Sequence, residues 1–285
     1  MPMSREVQKL KHSLGMSVIW ILLILLMITG STYAWFTFAG RASTNVTPMG
    51  GSIGKGGTVL LISNNQSGPF DKTCELKLSG NPETLKPLTT ADLNQFFTAT
   101  AQNNQGITVL YRNADANVDQ YALHGTVYLQ CQNAPCQVYF NKTELKLGND
   151  IQALAAMRLG LKITTHTGTQ SMIFQLDDLG AVGNAQSVRT ISRASSVVSS
   201  VSASGKPSYT DDPAIKIGEY MAEAKEEENE YQAGGKSLCT LEKDEVASVE
   251  YWLYLEGCDD QCSNPVQNKA SEIQLAFAGV DTEAE

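Results

Sequence analysis

The sequence predicts a mainly β chain, an antiparallel β-sandwich with few short helices, standing behind an N-terminal apolar helix. Three observations predict it. Short alternations of apolar and polar residues recur after residue 58, and a period of two marks a strand with one buried face. Clusters of Gly, Asn, Asp and Ser separate these runs, which is the turn chemistry of sandwiches. One long apolar run, 16–38, reads MSVIWILLILLMITGSTYAWFTF and follows a leader carrying Arg5, Lys9 and Lys11.

A basic start, an apolar run and a small-residue exit make an export signal. The most apolar part, 18–28, is shorter than the about 20 residues that span a bilayer. It suits a cleaved signal, with Thr32, Tyr33 and Ala34 before a cut between Ala34 and Trp35. Continued through Gly30 to Phe38, the same helix is long enough to span, and it would anchor the chain with its basic end inside. Both readings put the remainder outside the cytoplasm, with the membrane as a partner through 16–38 before or without cleavage. Residues 1–34 are therefore signal or anchor, 35–57 an N-terminal strand and Gly-rich linker, and 58–285 the sandwich.

The strand pattern opens at 58–63 and continues at 73–78, 107–112, 120–131, 136–140 and 143–147. In 157–163, Met157, Leu159, Leu161 and Ile163 face one way, Arg158 and Lys162 the other. In 249–256, Val249, Tyr251, Leu253 and Leu255 alternate with Glu250, Trp252, Tyr254 and Glu256. Residues 273–277 repeat the pattern. Helices are expected at 90–98, after Thr-Thr-Ala-Asp, and at 150–155. Serine crowds 187–208, which reads mainly as loop with room for a strand at 197–201, and acid crowds 211–245. The whole of 183–245 is expected to be a long insertion between two core strands, with 221–230 an exposed helix or loop.

The net charge of −9 argues against a nucleic-acid partner, whose affinity rests on Lys and Arg neutralising phosphates. The six cysteines are an even count in an exported chain and suggest disulfides. Spacing favours Cys131–Cys136 and Cys258–Cys262 as local bridges, which leaves Cys74 and Cys239 as a long one. No zinc pattern is present, since paired CxxC is missing and the histidines are only His12, His124 and His166. The Asn113, Asp115, Asn117, Asp119 alternation suggests a calcium loop, but Val118 and His124 stand where that loop needs Gly and Glu. A turn is the simpler reading. The Gly-rich stretch around Lys55 fails the phosphate-loop spacing. No GxSxG or HExxH occurs, and the adjacent acids at 177–178, 211–212 and 259–260 point to opposite faces or sit in turns. No enzyme activity, metal or cofactor is expected.

Residues 28–36, Ile-Thr-Gly-Ser-Thr-Tyr-Ala-Trp-Phe, close the apolar run in a way that resembles TasA/camelysin-type exported proteins of Gram-positive bacteria. Other stretches are similar to a clostridial branch of that family: 58–63 with Gly68-Pro69-Phe70, 155–161, and 252–257 running to Cys262. The resemblance implies a jelly-roll-like sandwich and cleavage by a dedicated signal peptidase. It also implies secretion to the cell surface or biofilm matrix, often as a fibre subunit. After a cut at Ala34, Phe36 and Phe38 would share one face of an extended N-terminal strand. Such a strand can pair with an open sheet edge of the next copy, which builds a head-to-tail polymer of the chain with itself. The alternative is a membrane-anchored extracellular binding or adhesion module.

Overall fold

In the computed structural model the described residues are 49–50, 59–74, 79, 85–103, 107–147, 151–176, 196–225, 230–260, 262 and 273–282. The export stretch 16–38, with Ala34, Trp35, Phe36 and Phe38, lies outside them. Among the described residues no helix is long and apolar enough to cross a membrane.

The chain is mainly β. Its first strands are β1 (Met49–Gly50), β2 (Val59–Ser63), β3 (Thr73–Cys74), β4 (Phe97–Asn103), β5 (Ile107–Asn113), β6 (Ala122–Gln132), β7 (Cys136–Asn141) and β8 (Lys146–Leu147). One short helix, α1 (Ile151–Ala156), leads into β9 (Met157–Thr165) and β10 (Gly168–Gln175). Then come β11 (Ser196–Val201), β12 (Pro207–Asp211), β13 (Ile215–Lys216), β14 (Met221–Lys225), β15 (Glu230–Ala233) and β16 (Cys239–Leu241). The last are β17 (Val246–Leu255), β18 (Ile273–Gln274) and β19 (Phe277–Asp281).

Two sheets dominate. The larger has the order β13-β10-β9-β17-β6-β2. Its centre is β17, antiparallel to β6 on one side and to β9 on the other. The second sheet is built on β7. One flank of β7 carries β19 along its whole length, while the other carries β16 at Cys136–Val138 and β14 at Phe140 and Asn141. Pairing is antiparallel except for two short parallel contacts, β10 with β13 and β14 with β7. The sheets meet at an aromatic seam: Phe140 stacks on Phe277 at 5.8 Å and takes Phe174 of the larger sheet edge-on at 5.2 Å. Edge and offset ring contacts of this kind add to area burial.

The alternation read in β9 and β17 holds on the inner face. Leu159, Leu161 and Ile163 are fully buried, as are Val249 and the facing Val127 and Leu129. The turn between the bonded Cys131 and Cys136 places Asn133 at φ 72, a left-handed conformation that Asn tolerates.

Three expectations are corrected. Residues 90–98 form a turn, not a helix. The Thr90 hydroxyl accepts from the Leu93 amide at 3.0 Å, and Asp92 accepts from the Asn94 amide at 2.9 Å. Such side chains compete with the helical ladder, Leu93 takes φ 61, and β4 begins at Phe97. Second, the described part of 183–245, expected as a long insertion between two core strands, supplies strands to both main sheets itself. β14 and β16 pair with β7, and β13 pairs with β10. Met221 begins a strand rather than a helix, and β11 buries Val197 and Val198 completely. Third, the polar-register face of β17 is covered. Leu88, Leu93, Phe96, Tyr121, Trp252 and Tyr254 belong to one buried apolar group there.

Candidate functional site

The covering of that face creates the most unusual chemistry in the molecule. Register pairs Lys162 with Glu250, Gly160 with Trp252 and Arg158 with Tyr254 across β9 and β17. The first pair is half-buried. Over the second, Leu93 fills the notch left by Gly160, where an added Cβ would stand 2.5 Å from Leu93 Cδ2, and Phe96 lies 5.8 Å from Trp252. Past this lid the third pair is sealed. Arg158 and Tyr254 are both 0% exposed.

A buried guanidinium requires partners on all sides. Arg158 Nη2 donates to Asp259 Oδ2 at 2.7 Å and lies 3.6 Å from Asp212 Oδ2. Its Nη1 donates to the carbonyls of Ala155 and Met157 at 2.6 and 3.0 Å. Burial works against the charged guanidinium, but Asp259, Asp212 and Glu256 outweigh it and hold the group protonated. Glu256 is 1% exposed. Its Oε1 accepts from the Cys258 amide at 3.0 Å, and it shares a hydrogen bond with the Thr89 hydroxyl. Burial pushes its carboxyl up to about 7, with Asp212 acting in the same direction and Cys258, Thr89 and Arg158 opposing.

Four chain segments supply this group. Arg158 starts β9, Asp212 follows β12, Glu256 follows β17, and Asp259 lies in the turn beyond. Among the described residues, Arg158 Nε, Asp212 Oδ2 and the Tyr254 hydroxyl have no hydrogen-bond partner. One guanidinium thus faces three carboxyl groups with acceptor and donor capacity to spare.

A second feature is an open cleft of about 560 Å³ between the β9–β10 turn and β16. Thr165, Thr167, Thr169, Gln170, Ser237 and Thr240 give it a hydroxyl- and amide-rich lining. The Gln170 side-chain amide donates across it to the Leu238 carbonyl. At its rim, Glu245 accepts from the His166 amide at 2.7 Å and pairs with His166 Nδ1 at 2.8 Å. β10 forms one border. It pairs with β9 from Gly168 to Gln175 but with β13 only at Phe174 and Gln175. Residues 168–173 therefore present an open edge among the described strands.

Of the expected disulfides, Cys131–Cys136 is formed. Cys74, Cys239, Cys258 and Cys262 are free thiols, so the bridges expected at Cys258–Cys262 and Cys74–Cys239 are corrected. Cys258 Sγ is turned to the Thr89 hydroxyl at 3.6 Å and the Tyr111 hydroxyl at 3.8 Å. Cys239 is held in β16 against Val138, while Cys74 sits in β3 against Met49. Burial pushes the Cys74 and Cys258 thiols up to about 11 and those of Cys239 and Cys262 to about 12. None is a thiolate at neutral pH, which removes nucleophilic reactivity.

The Asn113–Asp119 stretch leaves β5 and runs into a short 3-10 helix, Asp115–Gln120, kinked at Asn117. Asp115 accepts from the Phe96 amide at 2.6 Å, Asn113 from the Asp115 amide at 2.9 Å, and Asp119 pairs with His124. Among the described residues no three His, Cys, Asp or Glu side chains are grouped to hold a metal ion.

The alternation in 157–163 sets Arg158 beside Lys162, opposite the apolar face, and by itself gives no sign of the buried charge cluster. The signal was available in β17, where Trp252 and Tyr254 share the polar register with Glu256. Two large aromatics on that face imply a cover. The chain matches no known family model, no curated protein and no solved structure.

Proposed function

We propose that the chain is an exported structural protein of the cell surface or extracellular matrix of a Gram-positive bacterium, a subunit that polymerises with itself. The two main sheets are read as the layers of a jelly-roll-like sandwich. The observation that carries the reading is the joint presence of an export stretch ending at Ala34-Trp35 and an open sheet edge at β10. An unpaired edge offers backbone donors and acceptors to another strand. The strand freed by signal peptidase, with Phe36 and Phe38 on one face, would supply that partner from the next copy and propagate head to tail.

A chain beginning at Trp35 is expected to polymerise, while the same chain with Phe36→Asp and Phe38→Asp stays folded and monomeric. Sedimentation over a wide concentration range reads the difference. Two equally monomeric chains would end the assembly reading in favour of a membrane-anchored extracellular binding module, which keeps 16–38 as its anchor.

A further inference from the structure

Arg158 and the three buried carboxyl groups around it tie together segments far apart in sequence. Asp212 belongs to the connection between β12 and β13, and its Oδ1 also accepts from the Ala214 amide at 2.9 Å. Asp259 lies in the turn after β17, where its amide donates to the Glu256 carbonyl at 3.2 Å and its carbonyl accepts from the Cys262 amide at 2.9 Å. Glu256 is fixed to both neighbours. Its amide donates to Ala156 at 2.8 Å, at the end of α1, and Gly257 donates to the Leu88 carbonyl at 2.8 Å. The connection and the turn are thus held to the start of β9 through one guanidinium.

Among the described residues the formal charges of this group do not balance. With all three carboxyls ionised, the group carries two excess negative charges inside a sealed volume, which is costly in a low-dielectric interior. A proton on one carboxyl halves the excess. Asp259 is engaged at 2.7 Å by Arg158 and Asp212 lies within 3.6 Å of it, whereas Glu256 has no ion pair among the described residues. It is also bracketed by the thiol of Cys258, the hydroxyls of Thr89 and Tyr254, and Cys262. Among the described residues those groups, with Arg158 and Asp212, are the titratable, charged or hydrogen-bonding side chains that face it.

We propose that Arg158, Asp212, Glu256 and Asp259 form a proton-operated latch, which holds the Asp212 connection and the 257–260 turn against β9 while Glu256 is protonated and loosens them when Glu256 ionises. The carboxyl that lies near 7 in the fold, against an ordinary 4.5, sets the direction. The folded chain binds the extra proton, so stability is fully present below about 4.5, falls as pH rises, and is lost above about 7. Linkage then raises the unfolding equilibrium constant by about 70-fold between pH 5 and pH 8.

The test is urea unfolding of the full-length chain in mild detergent at pH 5, 6, 7 and 8, paired with hydrogen exchange of peptides covering 211–214 and 257–260. Wild type should lose stability across this range, and those two segments should exchange faster at pH 8 than remote strands do. Glu256→Gln, which keeps the neutral shape at every pH, should remove both effects. Every other titrating group is common to both proteins, so the difference isolates Glu256. An unchanged pH slope in Glu256→Gln, or a wild type without one, overturns the latch. Should Glu256→Gln fail to fold, Asp212→Asn replaces it. Removing that negative neighbour should move the exchange midpoint of 257–260 to lower pH, and an unmoved midpoint overturns the proposal equally.

Discussion

Replacing Arg158 with Met should be among the most damaging single changes in the molecule. Met keeps most of the length and volume of the side chain, so the cavity contribution is small. What goes is the cation 2.7 Å from Asp259 and 3.6 Å from Asp212, together with the donors serving the Ala155 and Met157 carbonyls. Breaking a buried pair from one side costs about 3–5 kcal/mol, because the abandoned charge stays in the interior. Against a whole-domain stability of roughly 5–15 kcal/mol, that is enough to bring a folded chain near its midpoint. Urea unfolding followed by far-ultraviolet circular dichroism measures the loss. A companion variant, Arg158→Met with Asp212→Leu and Asp259→Leu, should recover most of the loss, because an apolar replacement of a whole buried ion group is often neutral or better. A loss below about 1 kcal/mol in the single variant at pH 7.5 would refute the reasoning, as would a triple variant no more stable than the single one.

Two further outcomes follow from packing. Gly160→Ala should cost about 1–3 kcal/mol by overpacking, since its Cβ would meet Leu93 Cδ2 at 2.5 Å; adding Leu93→Ala should cost less than the two changes summed, and thermal denaturation of the cycle checks this. Deleting 196–211 should abolish the cooperative melting transition, because it removes the buried Val197 and takes Val198 out of its cluster with Phe97 and Tyr111; a retained sharp transition in calorimetry would show that the segment is dispensable.

The inner core was legible because its signal is local. Met157, Leu159, Leu161 and Ile163, and Val249, Tyr251, Leu253 and Leu255, announce one buried face by alternation alone, and register pairs the two runs residue by residue. The outer face was not legible, because its burial comes from 88–96 folding across it, a contact between segments some distance apart in sequence. The same limit explains the acidic stretch. Polarity suggested a long insertion between two core strands, yet Met221 and Ala222 need only two residues of register with Phe140 and Asn141 to join the second sheet. Cysteine spacing identified the pair that brackets a tight turn, Cys131 and Cys136. It misled at Cys258 and Cys262, where the turn spends its backbone on Glu256 and Asp259 and orients the Cys258 thiol toward Thr89.

The central place of β17 has a consequence for the chain as it is being made. β2 and β6 can pair as soon as residue 132 has emerged, and β9 and β10 close on each other soon after. These two halves share no strand until Val246–Leu255 slides between them. At roughly 5–20 residues per second of synthesis, the inward edges of β6 and β9 wait on the order of ten seconds for their common neighbour. A ribosome-bound chain therefore remains in two unjoined halves until residue 255 has been made. In that interval its bare edges are open to mispairing unless a holding chaperone covers them.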